Sequence, residues 1–227
     1  IGATYMEWNV DEEIAGYTHK IEKAINRSLT WEEDDLTLQN IQARSRSPII
    51  WMLANIKNAL LLATSNRSEA SVGYATMDGD TSGSISPISG IDKSFIRTWL
   101  LWLEKQGFKG LHLVNSLEPS AELRPLTEKQ VDEEDLMPYP ILNTIERLVF
   151  YDLLSPHACL EEVNKRYGSV FAKEKLEEFV RRFFRLWARN QWKRERYAPG
   201  FHVDDYSLDP KSWLRFPILS AGLEKDI

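Results

Sequence analysis

Thr64-Ser65-Asn66-Arg67-Ser68-Glu69 follows directly on a continuous apolar run, Ala59 to Ala63. A hydroxyl and a carboxylate placed just past the carboxyl end of a buried strand stand where open α/β sheets bind their ligands. Glu69 offers the hard oxygen that Mg²⁺ prefers. The same six residues have a plainer reading. Asn66 and Glu69 have the spacing of a capping box, in which the glutamate reaches back to the helix cap, and on pattern alone the cap is favoured.

Three further constellations carry polar chemistry. Asp78-Gly79-Asp80-Thr81-Ser82-Gly83-Ser84 is polar and glycine-rich, so backbone N–H groups there can approach a ligand closely; standing alone it reads as a surface turn. Asn40-Ile41-Gln42-Ala43-Arg44-Ser45-Arg46 puts two arginines on different sides of a helix, for which solvated charge is the usual explanation. Asn190-Gln191-Trp192-Lys193-Arg194 ends an aromatic-striped helix, where its cations either complement that helix's negative end or clamp a phosphate or carboxylate. The four histidines, His19, His112, His157 and His202, lack ligand spacing. No nucleophile–base pair suggests covalent catalysis.

These groups need a scaffold, and 227 residues suffice for one domain with appended helices or for two small lobes. Hydrophobic residues make up 43% and charged residues 27%, an ordinary globular balance. The apolar runs fall far short of the roughly 20 residues that span a bilayer. A net charge of −6 argues against nucleic acid as a partner. The lone cysteine, Cys159, predicts a buried thiol in a reducing cytoplasm.

Hydrophobic periodicity predicts a short strand over 3–10, then a helix from Asp11 to Asn26 with Asp11 as its cap and Ile14, Tyr17, Ile21 and Ile25 on one stripe. An acidic turn is expected at 31–35, a long helix at 38–58, and a parallel strand at 59–64 buried on both faces. A loop over 78–90 precedes a helix from Asp92 to Gln106 with Phe95, Ile96, Trp99, Leu100 and Leu103 inward. A short strand is expected at 110–114. Beyond residue 140 all is helical: 141–154, a helix begun by Ser155-Pro156, and a stripe of Leu176, Phe179, Val180, Phe183, Phe184 and Trp187. The alternation implies an α/β fold with a parallel sheet, divided into a nucleotide-binding portion over 1–140 and a helical C-terminal extension over 141–227.

Taken in order, these segments resemble NAD synthetases, of the N-type ATP pyrophosphatase group. Asn40-Ile41-Gln42-Ala43-Arg44-x-Arg46 is similar to the family's N-[IV]-[QK]-A-R-x-R helix, and 61–69 to its strand-to-helix turn. Gly73-Tyr74-x-Thr76 and Gly79-Asp80-x-Ser82-Gly83 resemble the loop that follows, with Pro87 and Lys93 at the family's spacing. The glutamine-dependent branch is suggested by Pro119-Ser120-Ala121-Glu122-Leu123-Arg124-Pro125, by Asp132-Glu133-Glu134-Asp135-Leu136-Met137-Pro138-Tyr139 and by the Asn190–Arg194 ending with Tyr206-Ser207. Met77 and Ser84 replace a Lys and an Asp of the ammonia-dependent members, which points to the same branch.

The resemblance implies an adenine-nucleotide-hydrolase-like (Rossmann-like) fold and a ligase of NAD biosynthesis. ATP adenylates the nicotinate carboxylate of deamido-NAD, and ammonia drawn from glutamine displaces AMP. Thr64, Lys93 and Ser120 are then expected to contact ATP. Asn40, Arg44, Glu69 and Lys193 are expected to hold deamido-NAD, with Glu69 also a Mg²⁺ ligand. The same resemblance implies a nitrilase-like amidase as N-terminal partner domain, a homo-oligomer and a cytoplasmic location. The family's S-G-G-x-D-S loop does not occur in these residues, so the chain is expected to be the larger part of a synthetase domain and inactive by itself. The rival expectations are an enzyme amidating nicotinate mononucleotide, or a binding or oligomerisation module on the same scaffold.

Overall fold

The computed structural model describes residues 2–121, 123–125, 132–218 and 222–227; Glu122 of the 119–125 motif lies outside them. Helix α1 runs Asp11–Ile25, α2 Trp31–Ser45, α3 Ser47–Lys57 and α4 Arg67–Val72. Then come α5 Lys93–Lys105, α6 Leu111–Ser116 and the single turn α7 Asp132–Asp135. Helices α8 Tyr139–Phe150, α9 Pro156–Tyr167, α10 Lys173–Arg189 and α11 Gln191–Arg194 complete the chain, apart from a last 3₁₀ turn.

The C-terminal helices form as their periodicity dictates. Ser155 caps α9, its Oγ accepting from the Ala158 N–H, and Pro156 occupies the first turn, where its missing N–H costs nothing. Every residue of the expected α10 stripe is buried, and it packs against Ile141, Leu142, Ile145 and Leu148 of α8 and Cys159 and Val163 of α9. Ala70 and Val72 of the short α4 join this same core, which ties the turn bearing Glu69 to the helical half. Burial pushes the Cys159 thiol up to about 12. A disulfide reagent at pH 8 is expected to leave it unmodified in the native protein and to titrate it only after denaturant is added.

A buried charge cluster fastens the two halves. Arg67 donates from Nε to Glu146 at 2.6 Å, and from Nη1 to Asp204 at 2.7 Å and to the Gly90 carbonyl at 3.1 Å. Its guanidinium lies 4.2 Å from the centroid of the Tyr206 ring, and the Tyr206 hydroxyl donates to Glu146 at 2.8 Å. Burial pushes the Glu146 carboxyl up to about 7 despite the arginine beside it.

The N-terminal half departs from several expectations. Residues 2–9 are exposed and make no backbone pairing with another described segment, so no strand forms over 3–10. Val10, not Asp11, occupies the cap of α1, while the Asn9 side chain accepts from the Asp11 N–H. Of the α1 stripe only Ile14 is buried. The expected turn at 31–35 is the first turn of α2: Thr30 caps it, and its acidic residues complement the positive helix end. The single helix expected over 38–58 is two, broken at Arg46 with Pro48 opening α3. Residues 110–114 belong to α6 rather than a strand. Gly107, at φ +107°, turns the chain so that α6 folds back on α5 and Asn115 donates to Glu104 at 2.6 Å. Asp92, expected as the first residue of its helix, is the cap of α5, which fully buries none of its apolar face: Ile96, Leu100 and Leu103 are half-buried, and Phe95 and Trp99 are exposed.

The run 59–64 is also less enclosed than its composition suggests. Leu60 and Leu62 are exposed and only Ala63 is buried. Leu62 forms a parallel bridge to Ile85, with Ala63 N–H donating to the Ile85 carbonyl at 2.9 Å and Ser84 N–H to that of Leu61 at 2.7 Å. Ser86 bridges in parallel to Gly200. Among the described residues, parallel pairing amounts to these two bridges, in the order 62, 85–86, 200. A run of leucines reads the same in sequence whether a strand is covered on both faces or on one.

Candidate functional site

The bridged segment delivers the chain to a cleft. Past Ala63 the backbone enters α4 through a capping box: Asn66 Oδ1 accepts from the Glu69 N–H at 3.1 Å, and Glu69 Oε2 accepts from the Asn66 N–H at 3.2 Å. The cap is therefore real, and it does not exhaust the residue. Glu69 Oε1 faces Lys93 Nζ at 3.1 Å, and both side chains line a cavity of about 420 Å³. Burial raises the Glu69 carboxyl above its ordinary range, against the pull of Lys93 and of the Asn66 N–H.

Asn40, Thr64, Ser120 and Lys193 line the same cavity, together with Gln39, Tyr74, Thr76, Asp80 and Asp132. Six of the seven residues expected from the sequence thus converge, from α2, the strand end, α4, the start of α5, the 119–121 segment and α11. Arg44 does not reach the lining. It sits one turn beyond Asn40 on α2, and its Nε donates to the Met77 carbonyl at 3.0 Å. Burial lowers the Lys193 ammonium; Asp80 opposes this, and the positive charges of Arg189 and Arg44 add to it.

The Asn190–Arg194 segment does complement a helix end, though a different one from that expected. Lys193 Nζ donates to the Gly73 and Ala75 carbonyls, each at 2.8 Å, and Asn190 Nδ2 to Val72 at 2.8 Å. Arg194, 2% exposed, donates to the carbonyls of Ala70 at 3.1 Å and Ser71 at 2.9 Å, and to that of Trp187 on α10. The orphan carbonyls at the end of α4 are thereby satisfied from more than a hundred residues away. Gly73, at φ +66°, ends α4, and a Cβ there would lie 2.3 Å from the Asn190 Cβ. Nothing in the local sequence signalled this clamp, because its acceptors are main-chain atoms of unremarkable residues.

Thr76 N–H donates to Asp80 at 2.6 Å, which folds the 73–83 loop onto the cleft. Asp80 and Asp132 stand inside the motifs above without a role of their own there; both are wall residues of the cleft. Among the described residues no three His, Cys, Asp or Glu side chains group as a metal cage. Mg²⁺, however, is commonly held by one or two carboxylates with the rest of its shell from phosphates and water, and Glu69 fits that pattern.

The chemistry available is charge neutralisation by two lysines in a partly desolvated cleft, flanked by hydroxyls and carboxylates. Residues 1–196 match the family described as NAD synthase. The chain is similar to a crystallised glutamine-dependent NAD(+) synthetase from Cytophaga hutchinsonii, with 53% identity and a TM-score of 0.87 over 100% of this chain and 36% of that one. It is 34% identical to the glutamine-dependent NAD(+) synthetase of Xanthomonas campestris pv. campestris over 83% of this chain and 32% of that protein. With the Rhodobacter capsulatus enzyme of the same description it shares 32% identity over 92% of this chain and 36% of the enzyme. The chain spans about a third of the length of these relatives.

Proposed function

The chain belongs to the NAD synthase family, and from that premise we propose that, within its full-length protein, it forms most of the synthetase domain of a glutamine-dependent NAD synthetase. The observation that carries this reading is the convergence of Asn40, Thr64, Glu69, Lys93, Ser120 and Lys193 on one cleft. The overall fold is that of the solved relative, in keeping with an adenine-nucleotide-hydrolase-like architecture. The parallel sheet and the division near residue 140 remain part of the proposal.

In the reaction proposed, a carboxylate oxygen of deamido-NAD attacks the α-phosphorus of ATP and the bond to pyrophosphate breaks. Ammonia then adds to the activated carbonyl carbon, the bond to AMP breaks, and the nitrogen sheds a proton. Neither step needs a protein nucleophile. Lys93, with Thr64 and Ser120, neutralises and orients the ATP phosphates, which is where pre-set charge is worth most. Asn40, Lys193 and Glu69 hold the dinucleotide, and Arg44 meets it outside the cavity wall. Mg²⁺ brought with ATP would rest on Glu69, where it supplies further neutralisation of phosphate charge.

The other parts of the reading are an N-terminal nitrilase-like amidase supplying ammonia, a cytoplasmic location, and self-association through the exposed apolar faces of α1, α3 and α5. No described helix is long and apolar enough to cross a membrane. The test is product stoichiometry in the full-length protein. With ATP, deamido-NAD and ammonium, NAD and AMP are expected in equal amounts with no ADP; ADP in place of AMP, or no NAD at all, overturns the reading.

A further inference from the structure

The cleft holds one polar atom that none of these roles uses. Asp132, 4% exposed, lines the cavity wall. Its Oδ2 accepts from the Tyr139 hydroxyl at 3.0 Å, while its buried Oδ1 has no hydrogen-bond partner among the described residues. The phenol of Tyr74 is close enough to interact with Asp132, but a hydroxyl has one proton, and Tyr74 donates its own to Asp135 at 2.7 Å. Lys93 also acts on the Asp132 charge, yet its Nζ is engaged at 3.1 Å by Glu69.

Buried acceptors are almost always satisfied, so this one calls for a donor arriving in the cleft. Resting on the amidation reading above, we propose that Asp132 Oδ1 is the docking point of the nitrogen nucleophile, taken up as ammonia or ammonium. Three features select that donor. The oxygen is buried from solvent, so the donor that takes its lone pair must be small, the size of ammonia or water, and the wall must yield slightly to admit it. The carboxylate repels phosphates. The Tyr139 hydroxyl already holds the other carboxylate oxygen, Tyr74 lines the same cavity, and the Lys93 Nζ lies 5.8 Å from the centroid of the Tyr139 ring. A carboxylate next to a ring that already faces one ammonium suits a further small cation.

The site also lies where the nucleophile is needed. Asp132 shares its cavity with Thr64, Glu69, Lys93 and Ser120, so a nitrogen held there lies in the same cleft as the groups proposed to carry the activated carboxyl. Water is the competing occupant, and kinetics separates the two.

The experiment uses the full-length enzyme with ammonium as the sole nitrogen source, and compares Asp132→Asn with the unmodified protein. The isosteric amide removes the charge but not the volume. The KM for ammonium is expected to rise at least tenfold, with those for ATP and deamido-NAD within twofold. An unchanged ammonium KM, or a parallel rise in all three, overturns the inference and leaves Asp132 a structural residue holding water. Should Asp132→Asn fold poorly, Asp132→Ser gives an independent readout: it opens the enclosure, so the rate with methylamine relative to ammonium is expected to rise, and an unchanged ratio counts against the site. If the unmodified enzyme forms no NAD, the proposed function fails and takes this inference with it; normal turnover with an insensitive Asp132 variant sinks the inference alone.

Discussion

Lys193→Met in the full-length enzyme is expected to lower kcat/KM for deamido-NAD by about two orders of magnitude, the size of loss that follows a displacement of about 1 Å in a reacting group's support. Two effects add. The substitution removes one of the two lysines lining the cleft, and it frees the Gly73 and Ala75 carbonyls that Nζ holds at 2.8 Å. Lys193→Arg is not expected to rescue, because a planar fork cannot serve two converging carbonyls as a compact ammonium does. Steady-state kinetics, with circular dichroism and melting curves to confirm folding, checks this; activity within threefold of the unmodified enzyme would remove Lys193 from the site.

The largest stability effect is expected at Arg67. Arg67→Met strips Glu146 of its buried cation, and breaking one half of such a pair costs about 3–5 kcal/mol. The cost should depend on pH in a defined direction. Glu146 is pushed up to about 7 in the folded protein, above the unfolded carboxyl value of about 4.3, so the native state binds the extra proton and stability falls as pH rises through that window. Near pH 5.5 the carboxyl is already mostly neutral in the native protein and little is lost with the arginine. At pH 8 the whole penalty applies. Urea titrations at the two pH values should show a larger difference between Arg67→Met and the parent at pH 8, and adding Glu146→Gln to the variant should restore part of it. An equal loss at both pH values would show that packing, not charge, governs the site.

What could be read from the sequence follows from what kind of interaction fixes each feature. Helices α8, α9 and α10 were legible because their burial repeats at helical spacing and their caps lie next to them in the chain. The cleft residues were legible as a set because hydroxyl, carboxylate and lysine types stand in ordered motifs; the capping box at Asn66 was legible too, being purely local. The N-terminal half was read less well. Apolar side chains on α1 and α5 imply a buried face, yet Ile21, Phe95 and Trp99 lie exposed, since periodicity reports amphipathicity and not what covers it. Leu111 to Val114 fits a strand and a helix equally over so few residues, and the reversal at Gly107 decides between them. The hold of Arg194 on α4 was illegible in principle: main-chain carbonyls carry no residue identity.

That hold has a consequence for how the protein moves. Because Asn190, Lys193 and Arg194 terminate α4 from outside it, fraying of the chain near 190–197 and loosening of the 70–76 turn are one event, not two. Anything that steadies the turn, such as an occupying nucleotide, should slow amide exchange in the distant C-terminal segment as well, while nicking of that segment by a protease should erode affinity without touching a single ligand-contacting atom upstream.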